Sequence, residues 1–99
     1  MARTLHYRLS TSATKDLQDL RCFLKERMEI EVFMVLRKRI VTAITLIREF
    51  PELGQYNNDI QARIFPISKT QYILIFRVKN DVVEVLRIFH TAQKRETIR

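Results

Sequence analysis

The chain has one glycine, Gly54, and one cysteine, Cys22, among 99 residues. One glycine cannot build the phosphate-cradling loops of the GxGxxG or Walker kind, which sets aside the common nucleotide-cofactor enzymes. One cysteine rules out an internal disulfide and any cysteine-based zinc site, and it fits a reducing cytoplasm. Cys22 falls on an apolar helix face and is expected to be buried as a small hydrophobe. No apolar run is long enough to span a bilayer, and the N-terminus alternates in polarity where a signal peptide would be continuously apolar. The expectation is a soluble cytoplasmic protein with no metal, no cofactor and no membrane contact. Acids are also scarce: 11 Asp and Glu face 18 Lys and Arg, for a net charge of +7. Such a balance points to an anionic partner, either nucleic acid or an acidic protein surface, and does not choose between them.

What the sequence does have is a pair of β-branched and aromatic runs, Tyr72-Ile73-Leu74-Ile75-Phe76-Arg77-Val78 and Val82-Val83-Glu84-Val85-Leu86-Arg87-Ile88-Phe89. Lys79-Asn80-Asp81 between them supplies turn formers, so the two runs predict an antiparallel hairpin. A two-residue loop at Asn80-Asp81 sets Val78 against Val83, Arg77 against Glu84, Phe76 against Val85, Ile75 against Leu86 and Ile73 against Ile88. That register gives a cross-strand ion pair. It also sorts side chains into an aromatic-rich face (Tyr72, Leu74, Phe76, Val78, Val83, Val85, Phe89) and an aliphatic face (Ile73, Ile75, Leu86, Ile88). Both are apolar, and both need a cover.

Around the hairpin, Leu5-His6-Tyr7-Arg8-Leu9 alternates as an edge strand does. Ser10-Thr11-Ser12 offers hydroxyl caps to a helix with Ala13, Leu17, Leu20 and Leu24 on one face and Asp16 in its first turn. After polar residues near Lys25-Glu26-Arg27, a second helix carries Val32, Leu36, Ile40, Ala43, Ile44 and Ile47 at helical spacing. Pro51 stops it by pushing Phe50 out of the α region, and Gly54 permits a reversal. Residues 55–60 read as a surface loop. Ala62-Arg63-Ile64-Phe65-Pro66-Ile67 resumes strand character, with Pro66 at an edge or an end. After His90 the chain turns polar and basic. The predicted architecture is a single α+β domain over residues 1–99, β-α-α-β-β-β. An antiparallel two-helix hairpin packs on one face of a mainly antiparallel four-stranded sheet. Two helices cover one sheet face, so the other is expected to meet a partner.

The ordered set Leu9-Ser10 with Ala13, Asp16 and Leu17; Phe50-Pro51-Glu52-Leu53-Gly54; Arg63; the Tyr72 to Val78 run; and Val85-Leu86-Arg87-Ile88-Phe89-His90 resembles the RelE/ParE superfamily of toxins from toxin–antitoxin systems, and its ParE branch more than its RelE branch. Each piece is a short apolar or turn pattern, and the resemblance lies in their order along nearly the whole chain. It implies a cytoplasmic toxin neutralised by a cognate antitoxin whose acidic, disordered segment folds onto it, in a higher-order toxin–antitoxin oligomer. Two activities occur in the superfamily. ParE-type members inhibit DNA gyrase by binding; RelE-type members are ribosome-dependent endoribonucleases that cut messenger RNA without a metal. Here Ile73 stands at a strand position where RelE members carry a functional arginine, and no tyrosine follows His90.

The antitoxin-covered face is therefore expected at Ile73, Ile75, Leu86 and Ile88, with homodimerisation through the same aliphatics as the alternative. Arg63, Lys69, Lys94 and Arg95 are candidates for contact with the target or another anionic partner. In the nuclease reading His90 is the acid or base, alone or with His6, while Arg63, Arg87, Lys94 and Arg95 hold phosphate. Arg87 has an equally good structural role, because an arginine among apolar strand residues must be paired.

Overall fold

The computed structural model describes residues 4–93. Lys94, Arg95 and the rest of the C-terminal basic stretch lie outside them. Asn80 and Asp81 both adopt positive φ, 54° and 62°. Asn and Asp tolerate that conformation better than other non-glycine residues, and two such residues in succession give the hairpin turn whose twist matches its strands. The turn joins β4 (Tyr72–Lys79) to β5 (Val82–His90). From the turn outward, Val78 pairs with Val83, Arg77 with Glu84 and Phe76 with Val85, as the sequence predicts.

Beyond that point the ladder slips. Ile75 pairs with Arg87 and Ile73 with Phe89, leaving Leu86 as the extra residue of a bulge. One extra residue reverses the alternation for the rest of β5. Ile88, expected on the aliphatic face, lies in the main core beneath the helices. Phe89, expected on the other face, joins Ala62, Ile73 and Ile75.

The five strands run in the order β1-β5-β4-β3-β2. β1 (His6–Leu9) lies parallel to β5, while β2 (Gln55–Asn57), β3 (Ala62–Pro66) and β4 are antiparallel neighbours. The sheet thus has one strand more than expected, because residues 55–57 pair with β3 instead of forming loop. Gly54 makes this possible. Its φ is +84°, and a Cβ there would stand 2.7 Å from the Ile64 carbonyl oxygen, so only glycine lets the chain turn this close to β3.

Two helices cover one face, α1 (Thr11–Glu26) and α2 (Ile30–Glu49). Phe50 ends α2 at φ −130° and ψ 75°, outside the α region, as the following proline requires. The main core joins Ala13 to Leu36, Ile40, Ala43, Ile44 and Ile47 of α2 and to Leu74, Phe76, Val83, Val85 and Ile88 of the sheet. Phe33, not Val32, is the buried residue at the start of α2. Cys22 is exposed, contrary to expectation, because α1 presents Ala13 and Leu24 inward and Cys22 lies off that stripe.

The second sheet face is closed more completely than its composition suggests. Ile73 and Ile75 are each 4% exposed, packed with Ala62 and Phe89 and flanked by half-buried Ile60, Ile64 and Leu86. Of the four aliphatics expected to await a partner, only Leu86 keeps appreciable exposure. Among the described residues, no helix is long and apolar enough to cross a membrane.

Ser10 joins helix to sheet. Its hydroxyl accepts from the Ala13 N–H (3.0 Å) as the N-cap of α1 and donates to the Leu86 carbonyl (2.8 Å) at the bulge. Ser10→Ala should lower the unfolding free energy by about 1–2 kcal/mol with an unchanged denaturant slope, measured by urea titration.

Candidate functional site

β1 ends at Leu9, opposite Val85, so the last residues of β5 have no strand on that side. Ser10 and Asp16 take over. The Ser10 N–H donates to the Val85 carbonyl (2.9 Å), and Asp16 Oδ2 accepts from the Ile88 N–H (3.0 Å). Asp16 also holds Arg87 in a fork, Nε to Oδ2 at 2.8 Å and Nη2 to Oδ1 at 3.0 Å. The first turn of α1 contains no acid; Asp16 lies a turn further in, where it faces β5. Hydrogen bonding to Asp16 and its charge raise the Arg87 pKa, outweighing desolvation, so this is a permanent cation with its counter-charge in place. The guanidinium lies 5.9 Å from the Phe89 ring centroid. Arg87 thus has the partner that an arginine among apolar strand residues requires.

His90 pairs across strands with Tyr72, their rings 5.2 Å apart and edge-on. Its Nδ1 accepts from the Ala92 N–H at 3.0 Å, and its Nε2 lies 2.9 Å from Gln71 Oε1. An Nδ1 that accepts assigns the proton to Nε2, which donates to Gln71. Burial pushes the Tyr72 pKa up, so its hydroxyl stays protonated. Tyr72 and His90 line a cleft of about 680 Å³ between α1 and β5, with Asp16, Leu20, Phe23 and Arg87 on its walls. His6 is not part of it. It pairs with Val82 at the start of β5, and His90 is at the far end, about 26 Å away at the usual strand rise. The two-histidine arrangement is therefore excluded.

The remaining basic candidates do not converge. Arg63 donates from Nη1 to the carbonyls of Glu52 (2.9 Å) and Gly54 (3.3 Å) and stacks over Tyr56, pinning the α2–β2 connection to β3. Lys69 is exposed in the β3–β4 turn, at the opposite end of β3. Lys94 and Arg95 fall outside the described residues. Among the described residues, no group of three or more His, Cys, Asp or Glu side chains could hold a metal ion.

Two features were missed by the sequence reading. One is Arg8, which joins Arg77 on the buried Glu84; the parallel pairing of β1 with β5 sets Arg8 beside it. The other is a groove of about 280 Å³ between the outer side of α2 and β3, with Val35, Ala43, Leu46 and Phe65 as its apolar lining and Lys38 and Arg39 at its margin. Its signal was present in α2, where exposed Val35 and Leu46 share one side, about 20° apart and off the core stripe.

The hydrogen bond from Arg77 (2.7 Å), with a second from Arg8, lowers the Glu84 pKa despite desolvation. A lowered carboxyl pKa stabilises the fold fully above the ordinary glutamate range, and the stabilisation is lost as pH falls through the lower folded value. Glu84→Gln should remove this component, so its stability should fall less steeply than wild type in acid, measured as Tm against pH. Asp16→Ala strips two charge-assisted bonds and the carboxylate acceptor of the Ile88 N–H. Arg87 retains solvent contact, so the loss should be about 2 kcal/mol in urea unfolding.

The comparisons with known proteins agree with this geometry. The family described as ParE toxin of type II toxin-antitoxin system, parDE, matches residues 7–95. Toxin ParE1 of Caulobacter vibrioides is 27% identical over 84 residues, spanning 85% of this chain and 86% of the relative. A solved chain from the chromosomal ParDE TA system of P. aeruginosa superposes with a TM-score of 0.73 at 17% identity, over 88% of this chain and 96% of that one, which shows the shared fold. With the family pattern running from β1 past the end of β5, and the helix–strand seam lying inside it, the chain belongs to the ParE toxin family of type II toxin–antitoxin systems.

Proposed function

We propose that this chain acts as a toxin by binding and inhibiting DNA gyrase, and that a cognate acidic antitoxin holds it inactive. Its action is interaction, not chemistry performed by its own side chains. The observation that carries this reading is the engagement of the candidate catalytic groups within the fold. Asp16 neutralises Arg87, and both ring nitrogens of His90 have partners in the chain. A nuclease needs a cation open to phosphate and a ring nitrogen open to the 2′ hydroxyl or the leaving oxygen. The isoleucine at position 73 and the likeness to ParE members support the same side. The net charge of +7 suits an acidic antitoxin.

The test sets two targets side by side. With gyrase, ATP and relaxed plasmid, the purified chain should stop supercoiling; with programmed ribosomes it should leave messenger RNA uncut. His90→Ala should change neither result. Prompt ribosome-dependent cleavage that His90→Ala abolishes would overturn the gyrase reading. The antitoxin half is tested by adding an acidic antitoxin of the parDE type, which should bind the chain and restore supercoiling.

A further inference from the structure

We propose that copies of this chain associate head to tail, the turn between α1 and α2 of one copy seating Met28 in the groove between α2 and β3 of the next. The contact joins two different surfaces, so each association leaves a free turn at one end and a free groove at the other.

Met28 stands where a helix end favours glycine. Arg27 caps α1, the Met28 N–H donates to the Lys25 carbonyl (3.0 Å) and the Glu29 N–H to the Leu24 carbonyl (2.7 Å), the paired bonds of a Schellman end. Met28 accordingly takes φ 60°, a left-handed conformation that glycine adopts freely and methionine does not. Its side chain gains nothing in return from the fold, being 93% exposed. A strained and unburied methionine has its use outside its own chain, and an unbranched thioether adapts to the cavity it meets.

The groove on α2 offers such a cavity. Val35, Leu46 and Phe65 wall it, buried Ala43 gives it depth, and about 280 Å³ is room for a methionine side chain. Met28 lies two residues before α2 and the groove runs along that helix, so no copy can fill its own groove. Charge matches the two surfaces. Around Met28, Lys25 and Arg27 stand against Glu26, Glu29 and Glu31, with Arg27 taken by Glu29 (3.2 Å), so the turn is locally acidic in a chain of net charge +7. Lys38 and Arg39, at the groove margin, find no carboxylate among the described residues, whereas Arg8, Arg77 and Arg87 all have one. Acids around the knob meet cations around its socket. The general repulsion between two basic bodies is screened beyond about 8 Å at physiological ionic strength. The same acids set this turn against nucleic acid and against an acidic peptide. The larger cleft between α1 and β5 is the poorer receptor, because Asp16 already answers Arg87 there and Asp19 adds another acid.

The test needs only the full chain, with its mass followed by sedimentation equilibrium at protein concentrations up to about 1 mM in physiological salt. Wild type should pass the dimer mass as concentration rises, as open-ended association requires. Met28→Gly should weaken association about 30-fold, the worth of one buried methionine side chain. The same variant should raise the urea midpoint of unfolding, because glycine suits the left-handed turn, so its lost association cannot be a folding defect. Leu46→Glu, at a half-exposed position, should weaken association at least as much, and its urea unfolding confirms that it folds. An equimolar mixture of the two variants should form a dimer and nothing larger, joined by the intact turn of the Leu46→Glu copy and the intact groove of the Met28→Gly copy. A wild type that stays monomeric throughout overturns the proposal. So does a closed dimer, an association that survives either variant, or a mixture that remains monomeric.

Discussion

The structure depends on how the second half of β5 satisfies its backbone. β1 has only four residues and reaches no further than Val85, yet β5 continues to His90 with core side chains that must be buried. A strand edge beside the core cannot leave its polar groups unpaired. The chain meets this requirement with the helix that follows β1. Ser10 serves the bulge carbonyl, and Asp16 serves the next free amide. For these short side chains to reach, α1 must lie close to the strand, and Ala13 of its first turn is fully buried. The position of α1 follows from this contact, and α2 is placed in turn by packing against α1 and the sheet.

The same seam organises charge. In a chain with so few acids, the buried or half-buried ones collect cations: Asp16 holds Arg87, and Glu84 holds Arg77 and Arg8. Arg63 is tied to backbone carbonyls instead. The cations on the sheet side are thus mostly structural. A large positive charge does not translate directly into a phosphate-binding surface, because placement decides which cations are available. The available ones include Lys38 and Arg39 on the outside of α2.

Most of the architecture was legible because its signals are local. The hairpin followed from Asn80-Asp81 between two β-branched runs, the end of α2 from Pro51, and the start of α1 from the hydroxyls at residues 10–12. What was not legible depends on contacts between elements. The bulge at Leu86 coincides with the Ser10 and Asp16 contacts to that edge, and no alternation pattern within β5 announces it. Its effect was large: Ile88 and Phe89 exchanged faces, and the expected partner surface went with them. β2 was missed because three polar residues have no strand signature until β3 is beside them. Cys22 was misplaced because the buried stripe of α1 is narrow, passing through Ala13 and Leu24 with Leu17 and Leu20 only half covered.

The shortage of cover expected on the second sheet face is not found there. With strict alternation, the aliphatic side of the hairpin would have been open and the helices sufficient for their own face. The bulge instead brings Phe89 to the aliphatic side, where it closes with Ala62, Ile73 and Ile75 into a small second core. The unburied apolar area then falls on α2. Its inward stripe is used up by the main core, and Met34, Val35, Val41 and Leu46 remain outside it. A helix apolar on more than one side either sits deep in a larger protein or presents a face to something else. Here α2 keeps that exposed apolar surface on both flanks of its core stripe, Val35 and Leu46 on one and Met34 and Val41 on the other.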